Sequence, residues 1–125
     1  MSSLPSPSLP AATLPLLLEH LTRERPHAES LRHLDPGSGV RTVLSRQALH
    51  AMVEAQAGFF AAQGVKAGDR VAWLGLSHPA QIAALFALAR LGALLVPLNH
   101  RLATAEWAAV LADCTPRLLV HDASF

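Results

Sequence analysis

The sequence predicts an α/β fold: a parallel β-α-β-α-β sheet flanked by helices, preceded by an N-terminal helix and a β-hairpin, and forming part of a larger domain. Three observations point there. From Gly64 onward, apolar strand-like runs alternate with helix-like segments, and Gly or Pro punctuates most of the changes. The runs Leu94-Leu-Val96 and Leu118-Leu-Val120 are apolar without alternation, as in parallel strands covered on both faces. The segment Ile82 to Ala89 is apolar nearly all round, and a helix of that kind is buried on more than one side. A chain of 125 residues does not easily supply so much cover, so the helix 80–91 is expected to pack against further polypeptide or a partner.

Residues 1–12, rich in Ser and Pro, read as a disordered tail, and 13–125 as one incomplete subdomain. Thr13 to Arg25 reads as a short helix, because Leu14, Leu17, Leu18 and Leu21 recur at helical spacing, Thr13 stands as an N-cap before Pro15, and Pro26 ends it. A hairpin follows, Ala28 to Leu34 and Val40 to Leu44 around Asp35-Pro-Gly-Ser-Gly39, with Leu31 and Leu34 loosely opposite Val43 and Leu44 and the register open. Ser45 caps a helix over Gln47 to Gln63 whose Leu49, Val53, Ala57 and Phe60 form one stripe, and Gly64 closes it in the left-handed conformation. Lys66 to Asp69 turns the chain into a strand, Val71 to Leu76. Pro79 sits where the first turn of a helix tolerates a missing N–H, opening a helix over Ala80 to Leu91 that Gly92 closes. A strand (Ala93 to Leu98), a helix (Thr104 to Asp113) and a last strand (Arg117 to His121) complete the order, with right-handed crossovers.

Composition narrows the function classes. With ten basic and nine acidic residues, a net charge of +1 and no block of either sign, nothing in the electrostatics calls for nucleic acid or an anionic membrane. A lone cysteine, Cys114, leaves no intrachain disulfide or paired-thiol metal clip, which suits a reducing, cytoplasmic setting. Met1 to Leu18 carries no basic residue and is broken by Pro15, unlike a signal peptide. Val71 to Ala89 is uncharged, yet Gly75, Ser77, His78, Pro79 and Gln81 interrupt it, so a strand, turn and buried helix is expected rather than a membrane span.

Across Thr13 to Asp122 the wording resembles the N-terminal part of the adenylate-forming, acyl-activating enzymes, of the acyl-CoA synthetase type. The resemblance rests on Thr13-Leu-Pro-Leu-Leu-Leu18, Pro26-His27-Ala28, Gln63-Gly-Val-Lys-Ala-Gly-Asp-Arg-Val71, Ser77-His78-Pro79, Leu91-Gly-Ala-Leu94, Pro97-Leu-Asn-His-Arg-Leu102 and Val110-Leu-Ala-Asp-Cys-Thr-Pro-Arg-Leu-Leu-Val120. One departure stands at Ser45-Arg-Gln-Ala-Leu49, where the family's Tyr and capping-box Glu are missing, a change worth about 0.5–1 kcal/mol of helix stability. The resemblance implies a parent enzyme that activates a carboxylate with ATP and magnesium through an acyl-adenylate and passes it to a thiol such as CoA, in fatty acid metabolism. It also implies that this chain holds none of those groups, since the phosphate-holding loop, the magnesium ligand and the mobile lysine of the family have no counterpart here.

The residues offer few chemical candidates of their own. Asp35-Pro-Gly-Ser-Gly39 leads into a strand and reads as a hairpin turn rather than a phosphate cradle. His20, His27, His33, His50, His78, His100 and His121 are scattered, without helical His pairing or Cys-x-x-Cys, so no metal site is expected. Cys114 reads as a small residue at a helix end rather than a nucleophile, and Asp69 and Arg70 as loop-fixing groups. Asn99 and Arg101 fall just past a parallel strand, where α/β ligand sites form, and either bind substrate or fix their loop. The expected function is therefore an inactive N-terminal piece of an ATP-dependent acyl-CoA ligase, with a small stand-alone α/β binding or interaction module as the alternative.

Overall fold

A computed structural model describes residues 13–122; the expected tail over 1–12 lies outside the described residues. Nine elements follow in order: α1 (Leu14–Glu24), β1 (Glu29–Leu34), β2 (Arg41–Ser45), α2 (Arg46–Ala62), β3 (Arg70–Leu74), α3 (Pro79–Arg90), β4 (Leu94–Leu98), α4 (Thr104–Cys114) and β5 (Leu118–His121). Each expected element is present.

β1 and β2 form a separate antiparallel pair, in which Leu31 faces Leu44 and Leu34 faces Arg41, with an irregularity between Glu29 and Leu31. Arg46 N–H donates to the Ala28 carbonyl and Gln47 N–H to that of Pro26, which ties the hairpin base to the start of α2. Ser45 Oγ accepts from Ala48 N–H at 3.0 Å, so the α2 cap holds without the missing glutamate. Thr13 is extended as an N-cap residue is, but its side chain makes no capping bond.

β3, β4 and β5 form a parallel sheet in the order β4-β3-β5, so the path leaves β3 to one side, returns across it and finishes on the other. Pleating sends Val71 and Trp73 to one face and Ala72 and Leu74 to the other. On the first face lie α2 and α3, with Phe60, Leu88 and Val71 as the largest fully enclosed side chains. Trimming Phe60 to Ala there should cost about 3–5 kcal/mol. α4 lies on the second face, where Trp107, Val110 and Leu111, themselves half-buried, cover Ala72, Leu74 and Leu98, and no residue of α4 is buried.

α3 needs less outside cover than its composition suggests. Ala83, Ala84, Ala87 and Leu88 have no solvent exposure, because small side chains let α1, α2 and β4 pack close against it. Of its large apolar side chains, only Ile82 and Leu85 are exposed, at 43% and 39%. The thinly covered surface is instead the α4 face of the sheet, where Leu94 and Leu119 are exposed. No described helix is long and apolar enough to cross a membrane.

Gly64 and Gly92 both adopt positive φ, +84° and +73°, directly after α2 and α3. Replacing either with Val should lower stability by about 1 kcal/mol or more, because β-branching penalises that region. Gly58, inside α2 with open space where a Cβ would stand, should behave oppositely. Gly58→Ala should raise the urea midpoint, by about 0.5–1 kcal/mol in stability.

Candidate functional site at the strand ends

The strand order reverses at β3, and in open α/β sheets ligands bind beyond the carboxyl ends of strands at such a reversal. A cleft of about 360 Å³ lies at that place, between the ends of β3 and β5. Its size is at the small end of ligand pockets. Trp73, Leu76, Val120 and Pro36 give it apolar surface, while His33, Asp35, His78, His121 and Asp122 supply polar groups.

Local structure explains each polar position. β1 carries His33 toward the loop after β3, where its ring centre lies 5.1 Å from that of His78. His78 is the N-cap of α3, and its Nδ1 accepts from Ala80 N–H at 3.0 Å, so in the neutral ring the proton sits on Nε2. Asp35 accepts from the Ser38 hydroxyl at 2.6 Å and the Ser38 N–H at 2.8 Å. Those bonds, the hydroxyl first, hold its carboxyl below the usual aspartate range, with the nearby His33 and His78 adding to the effect. Asp122 folds back over the end of β3, where its carboxylate accepts from Leu76 N–H at 3.4 Å. Gly75 leaves room for that return, since a Cβ there would stand 3.2 Å from Asp122 Oδ2 and 3.4 Å from Trp73 Nε1.

Such an arrangement binds and orients better than it reacts. Asp35, His78 and Asp122 each accept a hydrogen bond from a backbone N–H, which commits them to holding the local backbone.

Asn99 and Arg101 do not line this cleft. They sit past β4, where Asn99 Oδ1 accepts from Arg101 N–H at 2.9 Å and the Asn99 carbonyl accepts from Trp107 Nε1 at 2.8 Å. Asn99 thus shapes its own loop and anchors α4, while the Arg101 side chain is exposed. Asp69 accepts from Lys66 N–H at 2.8 Å, as a loop-fixing residue does. Arg70 reaches further: Nε donates to the Cys114 carbonyl and Nη2 to Thr115 Oγ1 at 3.0 Å, placing a cation on the C-terminal end of α4. Cys114 is the last residue of α4.

His20 and His50 pair along their helices with Glu24 and Glu54. His33, His78 and His121, scattered in sequence, converge on the cleft. Sequence reasoning missed that convergence, because it depends on β5 pairing beside β3 and on the separate β1-β2 hairpin lying over their ends.

The Asp35–Gly39 turn does not fit the phosphates of ATP. A polyphosphate needs free backbone N–H groups and cations, but in the Asp35–Gly39 turn Ser38 N–H goes to Asp35 Oδ2, Gly39 N–H to the Asp35 carbonyl, and an ionised carboxylate stands at its centre. The turn joins β1 to β2, as a hairpin turn does.

Comparison with known proteins adds a family. A sequence model described as AMP-binding enzyme matches residues 18–124. A feruloyl-CoA synthase of Amycolatopsis sp is 42% identical over 99 residues, which are 79% of this chain and 19% of that protein. The indoleacetate–CoA ligase of Aromatoleum aromaticum is 46% identical over 82 residues, 66% of this chain and 16% of the relative. Among solved structures, a fatty acyl-CoA synthetase of Mycobacterium tuberculosis superposes with a TM-score of 0.79 at 26% identity, over 89% of this chain and 21% of that one. The O-succinylbenzoate CoA synthetase of Bacillus subtilis in complex with AMP gives 0.76 at 28%, over 86% and 27%. The chain therefore spans about a fifth of the length of the curated relatives it matches.

Two variants test the geometry of the cleft. Ser38→Ala should move the Asp35 titration, followed by carboxyl NMR, up toward the ordinary range, because its largest stabilising bond is gone. A lowered folded pKa means that the turn's contribution is present above the unfolded value and lost as pH falls through the folded one, so acid should open the hairpin tip in the native chain. His78→Phe should cost about 1 kcal/mol through the lost α3 cap, and His78→Asn should restore most of it.

Proposed function

The chain belongs to the AMP-binding enzyme family, and on that premise we propose that it is the N-terminal part of an acyl-CoA ligase. The observation that carries this is a match running nearly end to end through this chain yet occupying only about a fifth of each relative. In this reading the whole enzyme activates a carboxylate with ATP and magnesium through an acyl-adenylate, forms a thioester with CoA, and works in the cytoplasm. The chain itself is scaffold: it builds the sheet, the cleft at its strand ends and the loops after β3 and β4, while the groups that hold phosphate and metal come from further sequence.

An aromatic carboxylic acid is the favoured substrate class over a fatty acid. The support is that the two relatives with the highest identities described above are named for feruloyl and indoleacetate substrates. Asn99 and Arg101, past the end of β4, remain the residues of this chain proposed to approach substrate, with Arg101 as the exposed cation.

The test is carboxylate-dependent ATP–pyrophosphate exchange. Purified residues 1–125 should show background exchange with ferulate, indoleacetate or octanoate. A fusion to the C-terminal four-fifths of the Amycolatopsis feruloyl-CoA synthase should restore it, more strongly for the aromatic acids. Exchange by the 125-residue chain alone would overturn the scaffold role.

A further inference from the structure

We propose that His78 is a proton-operated latch between α3 and the β1-β2 turn. Neutral, its ring caps α3; protonated, it releases the helix and turns to Asp35 across the mouth of the cleft. The device goes beyond the ligase reading and lies within this chain.

The start of α3 leaves one backbone donor to the ring. Pro79, at the first helical position, has no N–H, and Gln81 N–H donates to the His78 carbonyl at 2.9 Å. Ala80 N–H donates to His78 Nδ1 at 3.0 Å. The usual caps are Ser, Thr, Asp and Asn, whose oxygens still accept at mildly acidic pH. An imidazole nitrogen accepts only while it carries no proton, and imidazole is the side chain that ordinarily changes charge between pH 5 and 8. A proton on Nδ1 therefore turns the acceptor into a donor facing another donor, and sets a cation against the positive end of the helix dipole. His78 is exposed, so solvent protons reach it.

A second partner is already in place. From β1, Arg32 is paired with Glu29, and His33 sets its ring 5.1 Å from that of His78. From the end of β5, His121 Nδ1 lies 2.8 Å from the Asp122 carbonyl, and the Asp122 carboxylate accepts from Leu76 N–H. From α2, Gln56, a neutral amide, donates to the Ala80 carbonyl at 2.8 Å. Asp35, in the turn after β1, is the group that suits a charged ring. Ser38 foremost holds its carboxyl ionised, and both His33 and His78 add to that effect. His33 disfavours a second proton beside the first, since two cations at that spacing repel. An exposed ion pair is worth about as much as a helix cap, or less. Exchange of partners thus moves the ring at little net cost in stability, and geometry rather than melting reports it.

The experiment is NMR on the full 125-residue chain, from about pH 8 down to about pH 5.5. At the upper end the His78 ring should be the Nε2–H tautomer. On acidification the Ala80 amide should lose protection about fivefold, in step with the His78 ring signal, while the ring gains contacts to Asp35. His78→Asn, which caps without titrating, should hold Ala80 protection constant over the same range. Asp35→Asn should move the release to lower pH, because the charged ring loses its partner. Ala80 protection independent of pH in the native chain, an Nδ1–H tautomer at the upper end, or the same loss in His78→Asn would each overturn the latch. Release with the ring making no contact to Asp35 would overturn it too, since the ring would then have one seat and not two.

Discussion

Everything in this structure depends on β3 being satisfied on four sides at once. Its backbone pairs with β4 and β5, and its side chains enter both layers, Val71 and Ala72 without any solvent exposure. A strand so placed has no polar group to spare and must find its partners inside the protein. Arg70, at its first residue, also joins the layers: its carbonyl accepts from Arg117 N–H and its guanidinium holds the end of α4. Thr115, next in line, carries φ of 43°, a strained value for a β-branched residue. Its hydroxyl bond to Arg70 fixes it there.

The order and type of every element were legible because the signals were local. Pro79 and Gly92 bracket α3, Ser45 and Gly64 bracket α2, and the apolar runs of β4 and β5 lack alternation, so each segment announces itself without its neighbours. The placement of cover was not legible, for a physical reason. α3 reads as a helix short of partners, but an alanine-rich surface is ambiguous: it fits either a missing partner or close packing against what is already present, and here α1 and α2 supply the latter. Likewise Leu94 and Leu119 belong to runs that read as doubly buried, yet α4 is too loosely seated to enclose them.

The candidate site was less legible than the fold, since it is made by topology. Asn99 and Arg101 were picked out by their position past a strand, a rule that applies to three strands equally and does not say which end forms the crevice. Strand order decides that. With β3 central, its end and that of β5 flank the reversal, and the hairpin brings His33 and Asp35 over them. Seven histidines spread along the sequence hold no information about which three meet, because β1 and β5 lie more than eighty residues apart. Gly75 was the one available hint. A glycine at a strand end often marks close approach, and here the approaching group is the Asp122 carboxylate.

The cleft and the groove along β5 are two parts of one surface, because Trp73 and Val120 line both. Asp35 holds the hairpin tip, His78 caps α3 and Asp122 closes the β3 loop, each one bonded to backbone. Groups used in this way set the shape of the pocket wall, since each one fixes the backbone turn that carries it.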